Sequence, residues 1–244
     1  MSLNVPEARI VATAADDHLR AGPILACWVI ATLLLEAALW ISGARGTGLH
    51  EAVEAGAAKA ETRGIGEATD DVVRKAIALQ HDTTAFWTVL ALFGDFVVEP
   101  LSLPIRAGLV AVLFAGVALL RGRTVEFSRG MASCALAQGF WVLGLAVRAG
   151  LTIGLRRVEI ETSPTLLLSP GIHHGAVWVA LRQLDIFPLL GWVAMARCGI
   201  ARMRVGAIVV LAICFVLFTI EALVRVQFSW VIEAGMRLSL LPET

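Results

Sequence analysis

Long apolar stretches limit how this chain can fold more than any other feature of its sequence. The first runs from Ile24 to Ile41 and contains a single charged residue, Glu36. As a helix rising about 1.5 Å per residue it would cover roughly 27 Å, close to the thickness of the bilayer hydrocarbon. Four more such stretches follow, at about 105–120, 131–155, 184–200 and 205–224. Together they predict a multi-span membrane protein.

Composition agrees with this interpretation and excludes other classes. Hydrophobic residues make up 58% of the chain and charged residues 16%, whereas soluble domains typically have about 45–50% and about 25%. Mean hydropathy is +0.79. The 20 basic and 20 acidic residues give no net charge, which argues against a nucleic-acid partner because such binding needs a concentrated basic face.

We therefore predict an all-α fold, a polytopic membrane helical bundle with about five transmembrane helices and an extramembrane helical hairpin. The hairpin would occupy 43–84, with a helix starting where Thr69 is followed by two aspartates, because acids stabilise a helix N-terminus. The predicted organisation is an N-terminal cytoplasmic segment, a membrane domain and a C-terminal tail, at 1–23, 24–225 and 226–244.

Residues 85–99 are apolar but form a short stretch. Asp95 and Glu99 interrupt it, and Pro100 and Pro104 follow. Such a stretch is typical of an interfacial or re-entrant helix. A sixth span is the alternative, and the sequence leaves it open.

Arginines predict the orientation. They gather in two tight turns, at 121–129 and 197–204. With five spans and a cytoplasmic N-terminus, both turns lie in the cytoplasm, as the positive-inside rule requires. Counting 85–99 as a sixth span would instead require an external N-terminus.

Small residues recur at spacing four on two of the spans. They are Ala107, Ala111 and Ala115 on one span, and Ala146, Gly150 and Gly154 on the other. Small side chains let helix backbones approach closely in a membrane. We therefore expect two packing surfaces for other helices, and we include Gly150 and Gly154 among the structural or interaction candidates.

Ionisable residues inside apolar stretches are functional candidates, because each costs about 2.5–3.5 kcal/mol to insert. The alternative for each is snorkelling to the headgroups or a helix-to-helix pair. Asp185 is the first choice, with a structural role beside a proline that frees a backbone carbonyl. Glu221 and Arg225 are expected to form a local pair at spacing four. The full candidate set is Glu36, Asp95, Glu99, Arg106, Arg148, Asp185 and Glu221.

Motifs for catalysis or cofactor binding are not found in the sequence. His50 and Glu54 resemble part of a zinc-protease motif that lacks its second histidine. The pair His173-His174 is expected to lie in a surface loop, although a ligand there stays possible. The four cysteines are interpreted as small buried hydrophobes; they are Cys27, Cys134, Cys198 and Cys214. We predict no enzyme activity, no metal and no cofactor.

The second half of the chain has an ordered set of short motifs. The run Gly122–Arg129 precedes a long span, two Ser-Pro pairs mark a linker, and Leu184–Trp192 opens the next helix. This order resembles the bacterial branch of the Yip (Ypt-interacting protein) domain family over about residues 20–225, although the tryptophan comes later than usual. The resemblance implies a five-span bundle with a cytoplasmic N-terminus in the bacterial cytoplasmic (inner) membrane. Eukaryotic members are linked to vesicle traffic and small GTPases.

These observations favour a non-enzymatic integral membrane protein that acts as a structural or assembly subunit of a larger membrane complex. Its partners would be the lipid bilayer and other membrane subunits, or further copies of itself. The alternatives are a transporter or permease component, with residues 94–106 as its broken polar segment, and an accessory subunit of a pigment–protein complex.

Overall fold

The fold of this protein, taken from a computed structural model, is helical throughout its described part. The structure describes residues 20–51, 53–54, 70–156, 160, 162–167 and 180–239. Eight α-helices are named here, α1 (Ala21–Ile41), α2 (Asp70–Asp82), α3 (Thr84–Phe93), α4 (Glu99–Leu120), α5 (Phe127–Ala137), α6 (Gly139–Leu155), α7 (Ile186–Ala201) and α8 (Ala207–Ser239). A π-helical segment, Gly94–Val98, joins α3 to α4, and Pro164–Leu167 is a 3-10 turn. The described residues contain no strand, which confirms the all-α prediction.

Burial along α1 is the reverse of that in a water-soluble helix. Its buried residues are the polar ones, Thr32 and Glu36. Large apolar side chains point outward instead, with Leu34 66% exposed and Ile41 86% exposed. A soluble helix turns its apolar stripe inward, so this arrangement is what a helix surrounded by lipid requires.

Among the described residues, four helical runs are long and apolar enough to cross a membrane, by length and composition. They are Ala21–Ile41, Asp71–Leu120, Phe127–Leu155 and Ala207–Phe228, while Ile186–Ala201 is a shorter apolar helix. The chain is therefore a helical membrane protein. The prediction of about five transmembrane helices agrees with this count only if the shorter helix also spans.

The path through residues 85–99 differs from the expected separate interfacial or re-entrant helix. The π-helical segment leads from α3 directly into α4 without a turn. Pro100 follows directly after the π-helical segment, so it lies inside a continuous helical run and not at a free helix N-terminus. Pro104 lies one turn further on, inside α4.

Two other predicted segments can be compared with the helices. α8 continues without a break to Ser239, so residues 226–239 of the predicted tail continue the last helix. Of the predicted hairpin, residues 44–51 are helical and α2 begins at Asp70, as the aspartates indicated. The segment 55–69 lies outside the described residues.

Contacts divide the chain into two compact units. We call Met1–Ala31, Pro100–Leu143 and Phe187–Phe218 the first unit. We call Thr32–Glu99, Gly144–Ile186 and Thr219–Thr244 the second unit.

The core of the first unit is built by close helix packing. The predicted stripe of Ala107, Ala111 and Ala115 is buried there, which confirms its packing role. Aromatic rings fill the space beside glycines: a Cβ on Gly199 would lie 2.7 Å from Cε2 of Phe114. Three of the four cysteines are buried as predicted, whereas Cys27 is exposed.

Candidate functional site

The second unit collects most of the ionisable residues that the sequence places in or beside apolar stretches. Their side chains form ion pairs or act electrostatically on one another, and we call this set the charged cluster. Its members are Glu36, Arg45, Asp95, Glu99, Arg148, Asp185, Glu221 and Arg225.

Asp95, in the π-helical segment, accepts three hydrogen bonds from two side chains. Arg45 donates to it through Nε, 2.8 Å from Oδ2, and through Nη2, 2.6 Å from Oδ1. Trp40 adds a third bond from Nε1 to Oδ2 at 3.1 Å. Such two-pronged arginine–carboxylate pairs are among the strongest side-chain contacts. They provide hydrogen-bond partners for a carboxyl group whose residue is only 4% exposed.

Asp185 lies immediately before α7 and is the most deeply buried acid of the charged cluster, at 1% exposure. Its Oδ2 accepts a hydrogen bond from Nη1 of Arg148 on α6 at 3.2 Å. The hydroxyl of Thr162 also donates to that oxygen. Asp185 therefore ties α6 and the linker segment to the start of α7, which is the geometry that its proposed structural role needs.

Arg225 on α8 bridges two acids. Its Nη1 lies 2.9 Å from Oε1 of Glu99, and its Nη2 lies 3.1 Å from Oε1 of Glu221. The predicted local pair of Glu221 and Arg225 is confirmed. The bond to Glu99 adds a link from α8 to the first residue of α4.

Glu36 differs from the other acids. The residue is 5% exposed, and its buried Oε2 has no hydrogen-bond partner among the described residues. The charges that act on its carboxyl come from other elements of the second unit; they are Asp95, Arg45, Glu99 and Arg148.

In the first unit, an arginine contacts two uncharged side chains instead of an acid. Nη1 of Arg106 donates to Oε1 of Gln138 at 3.0 Å, and its guanidinium carbon stands 4.2 Å from the ring centre of Trp141. Gln138 is fully buried at the break between α5 and α6, and its Nε2 is 3.3 Å from Sδ of Met195. Arg106 therefore stays inside the unit instead of snorkelling outward.

The structure thus brings Glu36, Asp95, Arg148 and Asp185 into one unit and places Arg106 in the other. Gly150 and Gly154 join neither site, because a Cβ on either would have no described atom within 4 Å. The two glycines of the predicted stripe therefore have open space beside them in the described part of the chain.

Sequence reasoning missed several partners. Arg45 lies in the segment 43–84, which the sequence predicts to be an extramembrane hairpin, and Trp40 is one residue of the first apolar stretch. Gln138 could have been found, since an amide inside an apolar span must find a hydrogen-bond partner.

The histidines supply no candidate metal centre in the part that the structure describes. Oε1 of Glu54 lies 3.6 Å from Nδ1 of His81 and 3.8 Å from Nε2 of His50. However, no group of three or more metal-ligating side chains occurs among the described residues. His173 and His174 lie outside them.

Comparisons with family models, curated proteins and solved structures gave no match to this chain.

Proposed function

We propose that this chain is a non-enzymatic integral membrane protein, similar to the Yip family, that acts as a structural or assembly subunit of a larger complex in the bacterial cytoplasmic membrane. The observation that carries the proposal is the pairing of arginines with acids inside the second unit. In the charged cluster every arginine is paired with an acid from another segment of the same unit. Such pairs hold helices together in a membrane.

The outward face of α6 supports an assembly role. Gly150 and Gly154 are exposed, with large apolar residues such as Leu143 and Ile153 also facing outward. The equivalent stripe on α4 is buried within the first unit. A second small-residue stripe left open is suited to a helix of another membrane subunit or of a second copy.

The test enlarges this open stripe. We expect Gly150→Leu combined with Gly154→Leu to break up the assembly extracted in mild detergent while leaving the chain folded, because open space surrounds both positions. Gly116→Leu is the matched control, since Gly116 is exposed on α4 and a Cβ there also meets no described atom within 4 Å. Native mass measurement of the tagged chain gives the readout.

Two results would refute the assembly role. One is a monomer in both native membranes and detergent. The other is an assembly that survives the double substitution unchanged. Cross-linking from Gly150→Cys distinguishes a second copy from a different subunit by the mass of the product.

A transporter or permease component is the second candidate function, favoured by one observation. Asp95 lies in a π-helical segment, a local geometry that is frequent at functional sites, and the residue is buried. Asp95→Asn would then abolish solute flux in reconstituted vesicles without changing assembly. The pigment-associated alternative stays a prediction.

A further inference from the structure

Glu36 is a buried carboxyl group on α1, a helix that exposes several large apolar side chains. Thr32 and Glu36 are the buried residues of α1, so one face of this helix is directed into the second unit. The carboxyl Oε2 lies in that interior, out of solvent, and makes no hydrogen bond to any described residue. Buried polar groups nearly always have partners, so an ionised carboxylate held in this way is strongly disfavoured.

The arginines that act on Glu36 are each bonded to another acid. Arg45 makes two bonds to Asp95, and Arg148 bonds Asp185. The remaining arginine of the charged cluster, Arg225, lies between Glu99 and Glu221. Three arginines therefore face five acids in the cluster, and the acid without a bonded arginine is Glu36.

We propose that the Glu36 carboxyl is an exchangeable proton-binding site inside the membrane domain. A bound proton removes the carboxylate charge and converts one oxygen into a hydroxyl, which suits a site whose neighbours include Asp95 and Glu99. The ligand is a proton and not a metal ion, because the described residues do not bring three metal-ligating side chains together. This inference goes beyond the assembly role and does not depend on it.

Proton release would add a negative charge to the charged cluster. The carboxylate formed at Glu36 would be a second anion competing with Asp95 for Arg45. The Arg45 side chain is 36% exposed, whereas that of Asp95 is 6% exposed, so the arginine is the partner with room to move. The protonation state of Glu36 is thereby coupled to the contact between the π-helical segment and helix 44–51.

Infrared difference spectroscopy of the full chain in lipid vesicles tests the proposal. The wild-type spectrum minus that of Glu36→Gln should show the carbonyl band of a protonated carboxylic acid at neutral pH. The band should disappear reversibly as the pH is raised. Asp95→Asn is the control, and its difference spectrum should show carboxylate bands because Asp95 is held by Arg45.

The proposal is overturned if the Glu36 difference spectrum contains carboxylate bands alone at neutral pH. It is also overturned if the acid band persists unchanged at every pH, because the proton would then not exchange. A Glu36→Gln chain that fails to fold is a third refuting result, since the amide matches a neutral carboxyl in shape and charge. None of these results bears on the assembly state measured with the α6 glycines.

Discussion

Removing the charge of Asp185 is the sharpest test of what holds the second unit together. Asp185→Asn keeps the shape of the side chain but takes away the anion that faces Arg148 and Thr162. Breaking a buried ion pair by removing one partner typically costs about 3–5 kcal/mol. Because 27% of the Arg148 side chain is exposed and can be solvated, we expect a loss of about 2–4 kcal/mol in the free energy of unfolding.

Two further variants separate the ion pair from general damage. Asp185→Leu combined with Arg148→Met removes both charges, and we expect it to recover most of the loss, since apolar replacements of buried pairs are often neutral. Glu221→Gln is the matched control, because Arg225 keeps its bond to Glu99. The Glu221 side chain is 26% exposed, and its loss should cost about 1 kcal/mol or less.

Reversible unfolding in mixed detergent micelles, followed by circular dichroism, measures these differences. The reasoning would be refuted if Asp185→Asn and Asp185→Leu both unfolded at the same detergent composition as the wild type. It would also fail if the double variant were no more stable than Asp185→Asn, since the loss would then not come from an uncompensated arginine.

Two remaining predictions concern packing and orientation. Gly199→Ala should lower the free energy of unfolding by about 1–3 kcal/mol, because its Cβ would meet the Phe114 ring. The control Gly116→Ala should change it by less than about 0.5 kcal/mol. Equal effects of the two substitutions in the same unfolding assay would contradict the packing argument. In a cysteine-free background, Thr124→Cys should react with an impermeant thiol reagent from the cytoplasmic side and Thr47→Cys from the opposite side, and the reverse pattern would contradict a cytoplasmic N-terminus.

The location of the buried polar residues was accessible from the sequence because the bilayer offers them few alternatives. A carboxylate such as Asp185 within an apolar stretch must turn inward or reach the headgroups. The identity of its partner was not accessible, since Arg148 is 37 positions away and every arginine near a span end was an equal candidate. Long-range pairing depends on how helices cross, which periodicity does not encode.

The helix boundaries show a second limit. Pro100 followed by Pro104 suggested a break, yet the chain stays helical through both prolines, with a π-helical segment immediately before Pro100. At the other end of the fold, α8 extends to Ser239 although its apolar pattern weakens after Val224. Hydropathy marks the part of a helix that lipid covers, and a helix can continue beyond that part.

Different kinds of contact stabilise the interior of each unit, and this difference decides which unit should be sensitive to pH. The hydrophobic core of the first unit joins alanines, glycines, sulfur atoms and aromatic rings, and these core contacts depend on shape and not on protonation. Contacts in the second unit join acids to arginines, so their strength changes whenever a carboxyl gains or loses a proton. Glu36 lies among these pairs without a bonded arginine of its own. A change of proton activity should therefore alter the second unit first and leave the packed core of the first unit in place.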